Sequence, residues 1–279
     1  MRALAELVMR GRRYAIAASM LGATIPLLNW VSTAIVSLVV LRKGAAEGSI
    51  VLLWTLLPLG IALYFIGDLM PVIALVGTAI MAYMLRVTLS WEFAVAVAVI
   101  ASAIGSLVFE YTAADVLVIL VEFYVDYWKQ NAIVVSSEVA RQTIVGIYAM
   151  GHAFGMCVLL VLARWWQSQL YNPGGFQKEF HQIRMTPWFS TGIVVLMMFS
   201  LVFDDQLGRW LPLLTVPLIF SGIALVHWTI GFRKMSMNWV IAFYLLLLFF
   251  SNLIYPILAS LTLMDSYLDL RQRIQTKKV

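Results

Sequence analysis

Eight long runs without a charged residue constrain the fold of this chain more than any other feature. Each run has 17 to 30 residues and contains no Asp, Glu, Lys or Arg. About 20 apolar residues form a helix that crosses a hydrocarbon core of about 30 Å, and runs that are apolar throughout are typical of such helices rather than of a β-barrel. The sequence therefore predicts an all-α, polytopic bundle of transmembrane helices. The runs are 14–41, 49–67, 69–85, 93–109, 142–163, 185–203, 210–232 and 235–264.

The balance of charges favours a membrane protein over a nucleic-acid-binding protein. Charged residues make up 12% of the chain, against about 25% in soluble domains. The formal net charge is +5, and in membrane proteins an excess of Lys and Arg gathers in the cytoplasmic loops. We therefore expect the lipid bilayer to surround the chain, and we expect no nucleic-acid partner.

The first and last runs are long enough to cross the membrane either once, as a tilted helix, or twice, as two short helices. The first has Pro26 and Asn29 near its middle, and the last has Ser251 and Pro256. Proline and nearby polar residues favour a turn at these places. Single crossings predict eight spans, and two double crossings predict ten.

The distribution of basic residues favours ten spans, with eight as the alternative. If every run crosses once, eight of the 19 basic residues fall outside. If both long runs cross twice, only Lys129, Arg141 and Arg209 do. Because basic residues prefer the cytoplasmic side, the second arrangement is favoured. It predicts cytoplasmic N- and C-termini.

The connections divide the chain into three parts. Residues 1–164 form a six-span membrane half, residues 165–186 a cytoplasmic amphipathic loop, and residues 187–279 a C-terminal membrane half with a basic tail. Within the first part, Asp115, Glu122 and Asp126 recur at helical spacing in an otherwise apolar segment. This pattern predicts an amphipathic helix at the outer membrane interface.

Small residues at four-residue spacing predict close helix packing. Such stripes let helix backbones approach each other in lipid, and they also suit a surface for a partner protein. Ala153 lies two residues from each glycine of the second stripe, so we expect it on the opposite, less tightly packed face. The stripes are Ala98, Ser102 and Ser106, and Gly151 with Gly155.

His152 is the polar residue that fits least well with its apolar surroundings. An ionisable side chain within a membrane segment is a candidate functional residue, although a neutral core histidine bonded to a neighbouring helix is the simpler interpretation. Glu110 and Tyr111 end one run, and Asn29 and Trp30 lie at the tip of the predicted first hairpin. These five residues are the candidate ligand-binding set.

No motif in the chain indicates an enzyme. Cys157 is the only cysteine and the three histidines are dispersed, so neither an intrachain disulfide nor a metal site is expected. Nucleotide-binding loops, zinc-protease motifs and nucleophile elbows are absent. We expect no catalytic residue, no metal and no cofactor.

The end of the chain resembles that of a known family. The segment from Met264 to Arg273 reads MDSYLDLRQR, and a proline-interrupted first run is followed by Arg42, Lys43 and Gly44. These features resemble the YybS-like family of bacterial membrane proteins. The N-terminal half of that family is similar to the substrate-binding S components of energy-coupling-factor transporters, which have six spans and a ligand pocket near the outer face. The resemblance implies such a half here, but it carries over no activity and no ligand residue.

Two functions follow as hypotheses. The first is a small-molecule binding or transport-associated subunit in the bacterial cytoplasmic (inner) membrane, which needs an energising partner because the chain has no nucleotide loop. The second is a membrane scaffold for envelope assembly or division. A binding subunit should have a pocket where polar groups converge, whereas a scaffold should have a filled apolar bundle.

Overall fold

The computed structural model describes residues 1–203 and 207–276, and this part of the chain is helical with short connections and no β-strand. The all-α bundle predicted from the sequence is confirmed. The helices are α1 (Arg2–Met9), α2 (Arg12–Thr24), α3 (Asn29–Lys43), α4 (Ala45–Ile66), α5 (Met70–Thr88), α6 (Trp91–Thr112), α7 (Ala114–Gln130), α8 (Ser137–Tyr171), α9 (Gly175–Phe180), α10 (Pro187–Val202), α11 (Leu211–Leu214), α12 (Val216–Phe232), α13 (Asn238–Phe249), α14 (Ser251–Leu268) and α15 (Leu270–Thr276).

Six helical segments of the described chain are long and apolar enough to cross a membrane by themselves. One is the second arm of the first hairpin, Pro26–Lys43. Four are the helices α4, α5, α6 and α8, and the sixth runs from Gly208 to the end of α12. The pair α13–α14 adds a seventh only if it is one broken span, and α10 is a shorter apolar helix. The length and composition of the helices thus give six or seven spans, and the eight or ten from charge counting stay a prediction.

The first apolar run is broken where its proline predicts. Ile25 is extended, with φ −101° and ψ 112°, as the residue before a proline tends to be. A short 3₁₀ turn, Pro26–Leu28, then leads into α3. The Ser32 hydroxyl donates to the carbonyl of Ser19 over 2.7 Å. This contact between α2 and α3, at similar distances from the turn, makes them an antiparallel hairpin.

Several turns and helix ends that charge counting assigns to the same side of the membrane lie together at one end of the bundle, which we call the Arg42 end. Arg86 at the end of α5 donates from Nη1 to the carbonyl of Leu41 over 2.6 Å. Arg12 at the start of α2 pairs with Glu47 at the start of α4. The α3–α4 turn, the N-terminus of α2 and the end of α5 therefore lie together.

At the opposite end of the bundle, which we call the Glu110 end, one carboxylate connects three segments of the chain. Glu110 near the end of α6 pairs through one oxygen with Arg141 Nη2 and through the other with Arg209 Nη1, both at 2.8 Å. The carboxylate thus links α6, the start of α8 and the 3₁₀ turn before α11. The segment predicted as an amphipathic helix forms α7 beside this end, with Asp115, Glu122 and Asp126 exposed.

The last apolar run reverses direction. Helices α13 and α14 meet at Phe250 with a bend of 116°. The start of α13 lies beside His181 in a common cavity, and near the end of α14 Ser266 donates to the carbonyl of Met185 over 2.8 Å. Both extremes of the pair therefore lie at the same end of the bundle, so the chain reverses its direction between α13 and α14.

The packed face of α8 is not the one that the glycines predict. Gly151 and Gly155 are exposed, and a Cβ added to either would meet no atom within 4 Å. Ala149, Ala153 and Cys157, at the same spacing on the other side, are fully buried. The predicted assignment of the two faces is therefore corrected: the alanine side packs in the bundle, while the glycines border open space.

The predicted boundary after residue 164 falls inside α8. This 35-residue helix continues to Tyr171 before the turn at Asn172. Trp166 is fully buried in the main core, which also contains Leu213 and Phe220 from the C-terminal half. Arg164, at the predicted boundary, lies within the helix and pairs with Glu179. The two membrane halves share one core.

The acidic and basic residues of the tail hold it against the segment before α10. Arg271 bonds to Asp265 Oδ2 at 3.1 Å and to the carbonyl of Ile183 at 2.6 Å. Arg184 pairs with Asp269. Burial is the largest single effect and raises the pKa of Asp269, but the hydrogen bonds from Arg184 and from the backbone of Gln272, together with the charges of Arg184 and Arg271, outweigh it and leave the pKa below its usual value. The charged residues of the tail motif therefore attach the tail to the bundle.

Candidate functional site

A cavity of about 490 Å³ lies between the first hairpin, the α4–α5 turn and the middle of α8. Asn29 and Trp30 reach it because the 3₁₀ turn places the start of α3 at the hairpin tip. His152 reaches it from α8. Three of the five residues predicted as a ligand-binding set thus line one cavity. Its lining is Ala23, Thr24, Pro26, Asn29, Trp30, Thr33, Leu59, Ala62, Ile66, Asp68, Met70, Pro71, Ala74, His152 and Leu159.

His152 is oriented by a hydrogen bond at one ring nitrogen, and its other ring nitrogen has no partner of normal hydrogen-bond geometry, with the backbone of Met70 nearby. Its Nδ1 lies 3.1 Å from the hydroxyl of Ser102 on α6. Its Nε2 is buried and makes no hydrogen bond of normal geometry with the described residues. Buried polar atoms without a partner are rare in folded proteins, because each loses its hydrogen bonds to water.

Asn29 presents a second unpartnered polar group in the lining. Its side-chain Oδ1 is buried and has no hydrogen-bond donor among the described residues. Its backbone carbonyl accepts from the Thr33 hydroxyl at 3.2 Å. The cavity therefore borders two side chains, Asn29 and His152, that each retain hydrogen-bonding capacity.

Asp68 provides the only charge among the residues that line the cavity. It is exposed in the α4–α5 turn, and its Oδ1 accepts from the backbone N–H of Met70 over 2.9 Å. With a carboxylate and no lining Lys or Arg, the cavity suits a neutral or cationic polar group better than an anion. Asp68 and Thr33 are not among the ligand-binding residues predicted from the sequence. The available signal for Asp68 was its position as the single charge between two apolar runs.

Glu110 and Tyr111 do not join this site. Glu110 is held by the two arginines at its end of the bundle, and its side chain is 13% exposed. Tyr111 is 88% exposed. Their predicted place in the ligand set is corrected, because the ion pairs draw the Glu110 carboxylate toward α8 and α11 instead of toward the hairpin tip.

A second, larger opening adjoins the cavity. This groove has a volume of about 900 Å³ and lies between α8, α12 and the α13–α14 pair. Trp30 and Leu159 line both spaces. Gly151 and Gly155 widen the groove because they carry no side chain. The Tyr255 hydroxyl in its lining is already bonded to Thr215. The groove is lined by Trp30, Met150, Gly151, Phe154, Gly155, Val158, Leu159, Leu162, Ile219, Leu247, Ser251 and Tyr255.

The described residues contain no group of three or more His, Cys, Asp or Glu side chains that could hold a metal ion. Cys157 is fully buried on the packed face of α8, away from the two glycines that border the groove. The two openings thus differ in character: the cavity has polar groups in its lining, and the groove is lined mostly by apolar residues.

No protein-family model, curated protein or solved structure matches the chain.

Proposed function

We propose that this chain is a non-catalytic binding or transport-associated subunit for a small molecule with a neutral or cationic polar group and an apolar part. The observation that carries the proposal is the pair of buried, unpartnered atoms, Asn29 Oδ1 and His152 Nε2, on two side chains that line one cavity. Because both atoms are buried, the two side chains must turn toward the cavity for a bound polar group to give them the partner that the protein does not supply.

The polar group would bind in the cavity at the hairpin tip. Each hydrogen bond that it makes to a buried group contributes about 1 kcal/mol, because the group otherwise stays unsatisfied. Asp68 at the mouth adds attraction for a positive charge. The carboxylate repels anions, so an acidic head group is disfavoured at this site.

The apolar part would lie in the groove next to Trp30. Two residues, Trp30 and Leu159, line both spaces, so the groove lies directly beside the cavity and a molecule of moderate length would have to pass these two side chains to occupy both. Burial of apolar area in the groove contributes about 25 cal/mol per Å². Gly151 and Gly155 then serve to keep the groove open rather than to pack helices.

The cavity also weighs against the scaffold hypothesis, which predicts a filled apolar bundle. The proposed location is the bacterial cytoplasmic membrane, with the Arg42 end in the cytoplasm, where basic residues concentrate. The chain contains no nucleotide-binding loop, so transport would need an energising partner. The similarity of the tail to the YybS-like family is compatible with this proposal but does not specify the ligand.

Mass spectrometry of small molecules that co-purify from native membranes tests the proposal. The wild-type protein should retain a molecule that a mock purification in the same detergent lacks. His152→Gln preserves a polar side chain of similar reach but changes the hydrogen-bonding pattern, and it should reduce retention about tenfold. His227→Gln is the matched control, since His227 lines a different cavity.

Retention must be compared for proteins with equal melting temperatures in detergent. If the wild type retains nothing beyond the mock sample, or if His152→Gln retains as much as His227→Gln, the cavity is not a ligand site and the proposal is wrong.

A further inference from the structure

The Arg42 end of the bundle brings three arginines from three helices around two cavities. Arg42 lies in the last turn of α3, Arg86 in the last turn of α5, and Arg164 on α8. The cavities have volumes of about 310 and 210 Å³, and Arg164 and Glu179 line both of them. The larger contains Arg86 and the smaller contains Arg42.

Glu179 is the only acidic residue that lines these cavities, and its carboxylate already has partners. Arg164 reaches both oxygens, with Nε at 3.0 Å from each and Nη2 at 2.8 Å from Oε2. Trp91 Nε1 donates to Oε1 over 3.0 Å. Glu179 therefore neutralises Arg164, and neither Arg42 nor Arg86 forms an ion pair with Glu179 or with another carboxylate of the described residues.

Both remaining guanidinium groups are oriented without being neutralised. Arg86 donates from Nη1 to the carbonyl of Leu41, which also accepts from Gln167 Nε2 at 3.3 Å. The Arg42 guanidinium stacks over Tyr171, 3.9 Å from the ring centroid. Carbonyl and aromatic contacts fix the direction of a guanidinium and leave its charge and several N–H donors available.

The larger cavity combines this charge with an apolar wall. Besides Arg86, Arg164 and Glu179, it is lined by Leu41, Leu85 and Leu89. Leu89 is 81% exposed beside α5, a membrane-span candidate. An arginine fork binds phosphate oxygens in pairs, and basic pockets between membrane helices bind lipid head groups. A soluble phosphate makes no use of leucines, whereas a lipid places its ester and upper chain carbons next to its phosphate.

We propose that the cavity formed by Arg86, Leu85 and Leu89 binds the phosphate of an anionic phospholipid from the adjoining leaflet. The phosphate oxygens accept from Arg86, and the first chain carbons contact the leucines. Arg42, across Arg164, adds positive potential that favours an anionic lipid over a zwitterionic one. This site is at the opposite end of the bundle from the polar cavity at the hairpin tip and does not depend on its ligand.

Native mass spectrometry in a neutral detergent tests this proposal with two defined lipids. The protein is delipidated and mixed with equal amounts of dioleoyl phosphatidylglycerol and dioleoyl phosphatidylcholine. We expect preferential retention of phosphatidylglycerol. Arg86→Gln and Arg42→Gln should each reduce it about fivefold, as expected for the loss of one basic residue near an anionic lipid.

Arg13→Gln is the matched control, because it removes an exposed positive charge from α2 that lines neither cavity. Arg42→Gln also guards against misfolding, since Arg42 is exposed and its guanidinium lies over the ring of Tyr171 without an ion pair to a described residue. Equal retention of the two lipids, or an equal loss in all three variants, would overturn the proposal. Displacement of phosphatidylglycerol by millimolar inorganic phosphate would also overturn it, because the site would then be one for free phosphate.

Discussion

The hydroxyl of Ser102 on α6 lies 3.1 Å from Nδ1 of His152 on α8. Ser102 belongs to the small-residue stripe of α6, whose members Ala98, Ser102 and Ser106 are all buried. The stripe therefore brings α6 close to α8 and also fixes the orientation of the histidine that lines the cavity. This one hydrogen bond therefore connects the packed stripe of α6 with a residue that lines the cavity.

Ser102→Ala should destabilise the bundle by about 1 kcal/mol, because it leaves both ring nitrogens of His152 without a partner. The measurement is thermal melting in detergent. Ser106→Ala is the control: its hydroxyl bonds only to the carbonyl of Ala103 in the same helix. If both variants melt at the same temperature, the bond to His152 contributes nothing to stability.

Leucine substitutions on α8 should reveal which of its faces is packed. Ala153→Leu inserts three carbons into a fully buried position and should cost about 1–3 kcal/mol. Gly155→Leu projects into open space and should melt close to the wild type. Comparable melting of Ala153→Leu and wild type, together with loss of stability in Gly155→Leu, would restore the glycine face as the packing face.

Acidification should weaken the contact between the tail and the segment before α10. The pKa of His181 is lowered by burial and by the nearby Arg271, so the folded protein favours the neutral ring. Stability from this residue is present above the unfolded pKa of about 6.5 and is lost as the pH falls below it, because the unfolded chain binds the proton first. His227 lies near His181 and contributes to the local charge when protonated.

Melting curves between pH 7.5 and pH 5 check this expectation. The melting temperature of the wild type should fall over this range, and His181→Gln should show a smaller fall. An identical pH dependence in the two proteins would show that His181 does not contribute.

Single cysteines in a Cys157→Ala background should report the orientation of the two ends. Cysteines at Ala45, Gly174 and Ser236 should resist a membrane-impermeant thiol reagent in intact spheroplasts, and one at Ser136 should react. All four positions are exposed, so burial does not protect them. Labelling at Ala45 with protection at Ser136 would reverse the proposed orientation.

The break in the first long run was predictable from sequence because proline leaves a local signal, whereas the last run breaks at Phe250 and its Pro256 lies inside α14. Pro26 forces an extended residue before it, and the hairpin follows. The packed face of α8 was not predictable in this way. Its residues are apolar on every side, and small residues occur at four-residue spacing both on the buried face and at the glycines. Which set is buried depends on the neighbouring helices.

Other contacts depend on residues far apart in the sequence and have no local pattern. A Cβ on Gly146 would overlap the carbonyl oxygen of Arg209, so this glycine permits the close approach that was expected at Gly151 and Gly155. Glu110 pairs with the same Arg209, 99 positions along the chain. The convergence of Asn29, Trp30 and His152 was anticipated in outline, since the hairpin tip and α8 were expected to meet.

The groove beside Gly151 and Gly155 is lined almost entirely by apolar side chains within the membrane part of the chain. Any occupant that arrives from the bilayer is already concentrated there by its solubility in hydrocarbon. Each added methylene contributes about 0.8 kcal/mol to that partitioning, or roughly a fourfold rise in concentration around the protein. In a series of ligands that differ only in chain length, an affinity calculated from the aqueous concentration would therefore be higher for the longer members. This order would result from partitioning into lipid even if every member binds the groove equally well. Titrations should be expressed as mole fraction in the lipid.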